Sequence, residues 1–150
     1  MTELSSDTIH ASCVAIDGRA VLLCGRSGAG KSDLALRLID RGAALVSDDY
    51  SIVTRRGGRL LASPPANIAG RIEVRGIGIV AMPHVADIEV ALVVDLDGTV
   101  DRMPEGNTRR IAGVAVPIAA LSSLEASAAI KVELLLRAMI APASGPGALP

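Results

Sequence analysis

The chain has one tyrosine, Tyr50, and neither phenylalanine nor tryptophan. A nucleotide base therefore cannot be sandwiched between two rings, and nucleotide recognition has to lean on phosphates. No apolar run approaches the ~18 residues that a membrane helix requires, and the N-terminus, Met-Thr-Glu-Leu-Ser-Ser-Asp, lacks a basic stretch followed by an apolar one. A cytoplasmic protein without a membrane partner is the expectation. No block of five like charges occurs and the formal net charge is -1, which leaves no basic field for nucleic acid. Lysine is scarce, with two against thirteen arginines. Only two cysteines are present, Cys13 and Cys24. With 150 residues, half of them hydrophobic, the chain suits one domain with a real core and is too short for two ordinary ones.

Against this background one stretch stands out. Gly25-Arg-Ser-Gly-Ala-Gly-Lys31-Ser32 fits the phosphate-loop pattern G-x-x-x-x-G-K-[ST] at every fixed position. It follows the apolar run Ala20-Val-Leu-Leu-Cys24 and precedes a segment of helical spacing, the context the motif needs. Its glycines let the backbone curl so that successive N–H groups of Gly25, Arg26, Ser27, Gly28, Ala29, Gly30, Lys31 and Ser32 can face phosphate oxygens, with the positive end of the following helix behind them. Lys31 would meet the terminal phosphates, and Ser32 would place its hydroxyl on a magnesium ion.

The surroundings supply chemistry. Asp17-Gly18 is a two-residue hairpin signal between strand-like residues 10–16 and 19–24. Pairing Ile16 with Arg19 sets His10 opposite Gly25 at the mouth of the loop. The same register puts Cys13 and Cys24 on one face at a diagonal of ~7–8 Å, too far for a disulfide, so two buried reduced thiols are expected. Leu34, Ala35, Leu38 and Ile39 mark a helix that Gly42 stops. Residues 43–47 read as a buried strand ending in Asp48-Asp49. A parallel β-α-β crossover would bring both acids beside the loop, one for magnesium and one for proton transfer.

Further along, residues 50–56 and 59–63 flank Gly57-Gly58 as a hairpin. Residues 72–79 alternate like a single strand, with Gly76 and Gly78 suggesting close approach of backbone to something. Residues 88–95 read as strand, residues 107–110 as a solvated basic loop, and residues 114–116 as a short strand. Ser122-Ser-Leu-Glu125 reads as a capping box opening a helix to about Ile140. Residues 1–8 read as polar and loose within a domain of residues 1–141, and the proline-rich residues 142–150 read as a disposable tail.

His10, the phosphate loop, Asp48-Asp49 and Glu73-Val-Arg-Gly-Ile-Gly-Ile79, in that order, resemble the catalytic domain of the HPr kinase/phosphorylases, and the likeness covers about residues 10–81. The resemblance implies an α/β fold of the P-loop kinase type, like the C-terminal domain shared with phosphoenolpyruvate carboxykinase, with a mixed sheet and flanking helices. It implies ATP and Mg2+ as cofactors, an HPr-like phosphocarrier as the serine-bearing partner, and a homo-oligomer, plausibly a hexamer. By the same resemblance His10, Lys31, Asp48 and Asp49 are catalytic, Asp48 being the base for the serine proton, while Ser32 and Glu73 hold magnesium. The chain resembles a short form of the family without the N-terminal domain.

The resemblance fails at one place. The family's loop before the last helix is rich in proline and arginine, whereas Leu121-Ser-Ser-Leu-Glu125 stands here and no arginine lies between Arg110 and Arg137. Weak reverse phosphorolysis follows as an expectation, unless Arg109 and Arg110 fold over the site. The rival readings are a small-molecule kinase or hydrolase on the same fold, and a non-catalytic nucleotide-binding regulatory module. A guanine-specific switch is disfavoured, since no Asn-Lys-x-Asp occurs.

Overall fold

A computed structural model describes residues 5–98 and 107–140. Its chain order is β1 (Ser5–Ile9), β2 (Ala11–Ile16), β3 (Arg19–Cys24), α1 (Lys31–Asp40), β4 (Ala44–Ser47), β5 (Ser51–Arg56), β6 (Arg59–Ser63), a 3-10 turn (Ala66–Ile68), β7 (Arg71–Val74), β8 (Gly78–Ala81), β9 (Ile88–Asp95), β10 (Thr108–Ile111), β11 (Val114–Ala120) and α2 (Ala128–Ile140). The sheet is mixed and runs β1-β5-β6-β9-β3-β2-β4, with β11 beside β9 and β10 beside β11. Its parallel pairs are β3 with β9 and β9 with β11.

The central strands read as continuous apolar runs because both of their faces are covered. Val14, Val21, Leu23, Leu45, Leu92 and Val94 pack on one side with Leu34, Ala35 and Leu38 of α1 and Ala128, Val132 and Leu136 of α2. Ala11, Cys13, Ala20, Leu22, Val46 and Val93 face the other side, against Val53, Leu60, Ala62, Ile111 and Val116 from the remaining strands. Both described helices therefore share one face. Among the described residues no helix is long and apolar enough to cross a membrane.

The hairpin at Asp17-Gly18 has the expected register, from Ile16 opposite Arg19 to Ala11 opposite Cys24. Cys13 lies opposite Leu22, and both cysteines are free and buried. Several expectations need correction. Residues 5–9 are not loose but pair with β5, a partner more than forty residues away that local pattern cannot reveal. β2 begins at Ala11, leaving His10 in the bend between β1 and β2. β3 and β4 do point the same way, but β2 lies between them, antiparallel to both.

Residues 72–79 form no single strand. β7 and β8 make a hairpin whose turn uses Gly76 at φ 83 and Gly78 at φ 114. Neither glycine has anything within 4 Å of a would-be Cβ, so they serve the turn and not a close approach. Residues 108–110, expected as part of a loop, belong to β10, which pairs with β11. β11 itself runs on to Ala120 because it lies along β9. The capping box does not form: α2 starts at Ala128, and the carbonyls of Ser123 and Glu125 accept from Arg37 of α1. The expected tail at residues 142–150 lies outside the described residues.

Leu22 has no solvent exposure and sits in the second core. Leu22→Ala should cost ~2–5 kcal/mol of unfolding free energy through lost burial and a residual cavity. Urea denaturation checks this; a loss well under 1 kcal/mol would show that this face is not closely packed.

Candidate active site

The phosphate loop leaves β3 and enters α1 with Gly28 at φ 87 and Gly30 at φ 93, left-handed values that suit glycine. Gly30 is the N-cap of α1 and no side chain caps the first turn, so its free N–H groups face outward as anion donors. Three side chains hold the loop in shape. Lys31, nearly buried, donates from Nζ to the carbonyls of Gly25 at 2.7 Å and Arg26 at 3.0 Å. The N–H of Arg26 donates to Asp97 Oδ2 at 2.6 Å. Ser123 Oγ donates to the Ala29 carbonyl at 2.7 Å, and Arg37 fixes Ser123 by donating to its carbonyl at 2.6 Å.

The two acids after β4 have different surroundings. Asp48 is 7 % exposed. Its Oδ1 accepts from Ser32 Oγ at 2.5 Å and from Ser12 Oγ at 2.9 Å, and its Oδ2 accepts from the N–H of Glu73 at 2.9 Å. These donors replace the water that burial takes from the carboxylate. Asp49 adopts φ 68, a left-handed value that aspartate tolerates in a tight turn. Its N–H donates to Ser12 Oγ at 3.0 Å, and its half-exposed carboxylate lies 2.8 Å from His10 Nε2. The His10 ring stacks on Tyr50 with centroids 4.9 Å apart.

His10 and Gly25 line one cleft together with Cys24, Arg26, Asp95, Asp97 and Arg109. His10, Lys31, Ser32, Asp48 and Asp49 thus gather around one loop, as the sequence suggested. Glu73 is joined to Asp48 through its backbone, while its side chain is exposed. The sequence reading passed over Ser12, Tyr50, Asp97 and Ser123. Ser12 alone carried a signal, being a polar residue inside the apolar run Ala11-Ser-Cys-Val-Ala-Ile16.

Oxygen donors at Ser32, Asp48 and Glu73 suit a hard cation. Among the described residues no cluster of three or more His, Cys, Asp or Glu is placed to hold a metal ion. A cation here would take one or two protein ligands and complete its shell with phosphate and water, which is the habit of Mg2+. Burial pushes the pKa of the Cys13 and Cys24 thiols up, which favours the neutral thiol in both.

Fold and loop together define an α/β domain of the P-loop kinase type. The chain belongs to the family described as the HPr Serine kinase C-terminal domain, whose model matches residues 2–122. It is 37% identical over 92 residues to an HPr kinase/phosphorylase of Clostridium tetani, covering 61% of this chain and 30% of that protein. A Chlorobium phaeobacteroides HPr kinase/phosphorylase is 37% identical over 127 residues, 75% of this chain and 39% of its own. The chain thus spans well under half the length of these curated relatives. A solved structure of the Hpr(Ser) kinase/phosphatase from Coxiella burnetii superposes with TM-score 0.80 at 31% identity, covering 93% of this chain and 99% of that one.

A Cβ on Gly30 would collide with the Ser123 side chain, and the φ of this residue is unfavourable for any other side chain. Gly30→Ala should therefore lower the melting temperature and weaken nucleotide binding. Adding Ser123→Gly should recover only part of the loss, because the clash goes and the backbone strain stays. Calorimetry on the single and double variants decides; no recovery at all would mean that Ser123 does not press on the loop.

Proposed function

We propose that this domain transfers the γ-phosphoryl group of ATP, with Mg2+, to a serine of an HPr-like phosphocarrier protein. One observation carries the reading. Two adjacent carboxylates flank the phosphate loop in different surroundings, a buried one hydrogen-bonded to Ser32 and a half-exposed one paired with His10. The first arrangement suits metal holding and the second suits proton transfer.

The loop N–H groups and Lys31 would bind the phosphates, and Ser32 with Asp48 and Glu73 would hold Mg2+. That ion supplies neutralisation of charge on the phosphate oxygens. Resemblance gives the serine proton to Asp48, but both Asp48 oxygens already accept hydrogen bonds and the group faces inward. Asp49 is open to an incoming hydroxyl, so we assign proton acceptance to Asp49 with His10 orienting its carboxylate. The serine Oγ then bonds to the γ-phosphorus, the bond from that phosphorus to the β,γ-bridging oxygen breaks, ADP leaves and the hydroxyl proton passes to Asp49. Catalysis is positioning and charge stabilisation. The homo-oligomer, a hexamer by resemblance, belongs to the same proposal.

Incubation with γ-labelled ATP, Mg2+ and HPr-like carriers of the host should place label on a carrier serine. Asp49→Asn should keep nucleotide affinity and slow transfer ~10²–10⁴-fold, and Lys31→Ala should abolish transfer in a folded protein. ATP hydrolysis with no label on any carrier would sink the carrier reading. A full transfer rate in Asp49→Asn would return the proton to Asp48.

A further inference from the structure

The segment at residues 121–125 brings no cation to the phosphate loop, and Arg37 holds it where it is. A cation arrives from another element. Successive side chains of a strand point to opposite sides, and the two arginines of β10 diverge accordingly. Arg110 Nη2 donates to the Gly113 carbonyl at 3.1 Å, back into its own hairpin turn. Arg109 instead lines the cleft with His10, Gly25 and Arg26, its guanidinium beside the Cys24 thiol. The Lys31 ammonium lies next to this cleft, on the Gly25 carbonyl.

Two acids share the cleft, and both have other work. Asp97 accepts from the Arg26 N–H, and Asp95 Oδ1 accepts from the Asp97 N–H at 2.9 Å. Among the described residues no ion pair involves Arg109, whose side chain is exposed. An exposed guanidinium fork in a cleft that it shares with a histidine and the start of the phosphate loop matches the planar recognition of phosphate oxygens.

We infer that Arg109 is an anion-contacting residue of this cleft, which holds the phosphoryl group of a phosphate monoester or of inorganic phosphate entering between His10 and the phosphate loop. The inference rests on reading the cleft as a phosphoryl-transfer site. It supplies from β10 the positive charge that residues 121–125 lack, and it removes the ground for expecting weak phosphorolysis.

The test titrates inorganic phosphate and, separately, O-phosphoserine into the wild-type protein and into Arg109→Gln, Arg109→Lys and Arg110→Gln, followed by calorimetry. Loss of a charge-assisted contact should weaken binding of at least one probe about tenfold in Arg109→Gln. Arg109→Lys should recover part of it, and Arg110→Gln should match the wild type. A loss confined to one probe tells which source of phosphate the arginine serves. Equal losses in Arg109→Gln and Arg110→Gln would reduce the effect to general surface charge and overturn the assignment, as would a wild type that binds neither probe. MgATP is titrated in parallel: a wild type that binds phosphate through Arg109 but not MgATP would overturn the kinase reading while upholding this one.

Discussion

The Asp48 carboxylate is the tie on which the site depends. It is buried, and it accepts hydrogen bonds from a serine of β2, from the first turn of α1 and from the backbone of β7. Leaving a buried carboxylate without donors costs several kcal/mol, at least ~1–3 for each group left unsatisfied. Three elements far apart in sequence must therefore meet at one point. Ser12 extends the tie, because its oxygen also receives the Asp49 N–H. The turn that presents Asp49 to His10 is thus anchored through the same serine.

The phosphate loop is held with the same thoroughness. Asp97 takes the N–H of Arg26, Lys31 takes two early carbonyls, and Ser123 takes the carbonyl of Ala29. A loop fixed beforehand loses less entropy when it binds, and its N–H dipoles need no reorganisation as charge develops. The segment before α2 has a structural role here. Residues 121–125 carry no arginine, yet Ser123 connects the loop to Arg37 and so to the helix that the loop begins.

Much of this was legible in the sequence, for physical reasons. The phosphate loop and the Asp17-Gly18 hairpin are local patterns, and the hairpin register alone placed His10 beside Gly25. The place of Asp48-Asp49 followed from the parallel direction of a β-α-β crossover, even though the sheet inserts β2 between the two strands. What failed depended on distant partners. The β1 strand needs β5, the β10 strand needs β11, and the segment before α2 is bonded to an arginine on another helix. The turn at Gly76 and Gly78 was misread because alternation continues across a short hairpin. Which acid takes which proposed role was not legible, since it rests on which carboxylate is surrounded by donors.

That division is the centre of the account, and magnesium dependence of nucleotide affinity probes it most directly. ATP is titrated calorimetrically with and without Mg2+ into the wild-type protein and into Asp48→Asn, with circular dichroism confirming a native fold for both. The account predicts that Mg2+ strengthens ATP binding to the wild type and that Asp48→Asn loses this gain while keeping its metal-free affinity. An undiminished gain from Mg2+ in Asp48→Asn, together with slow phosphoryl transfer, would contradict it and make Asp48 the base.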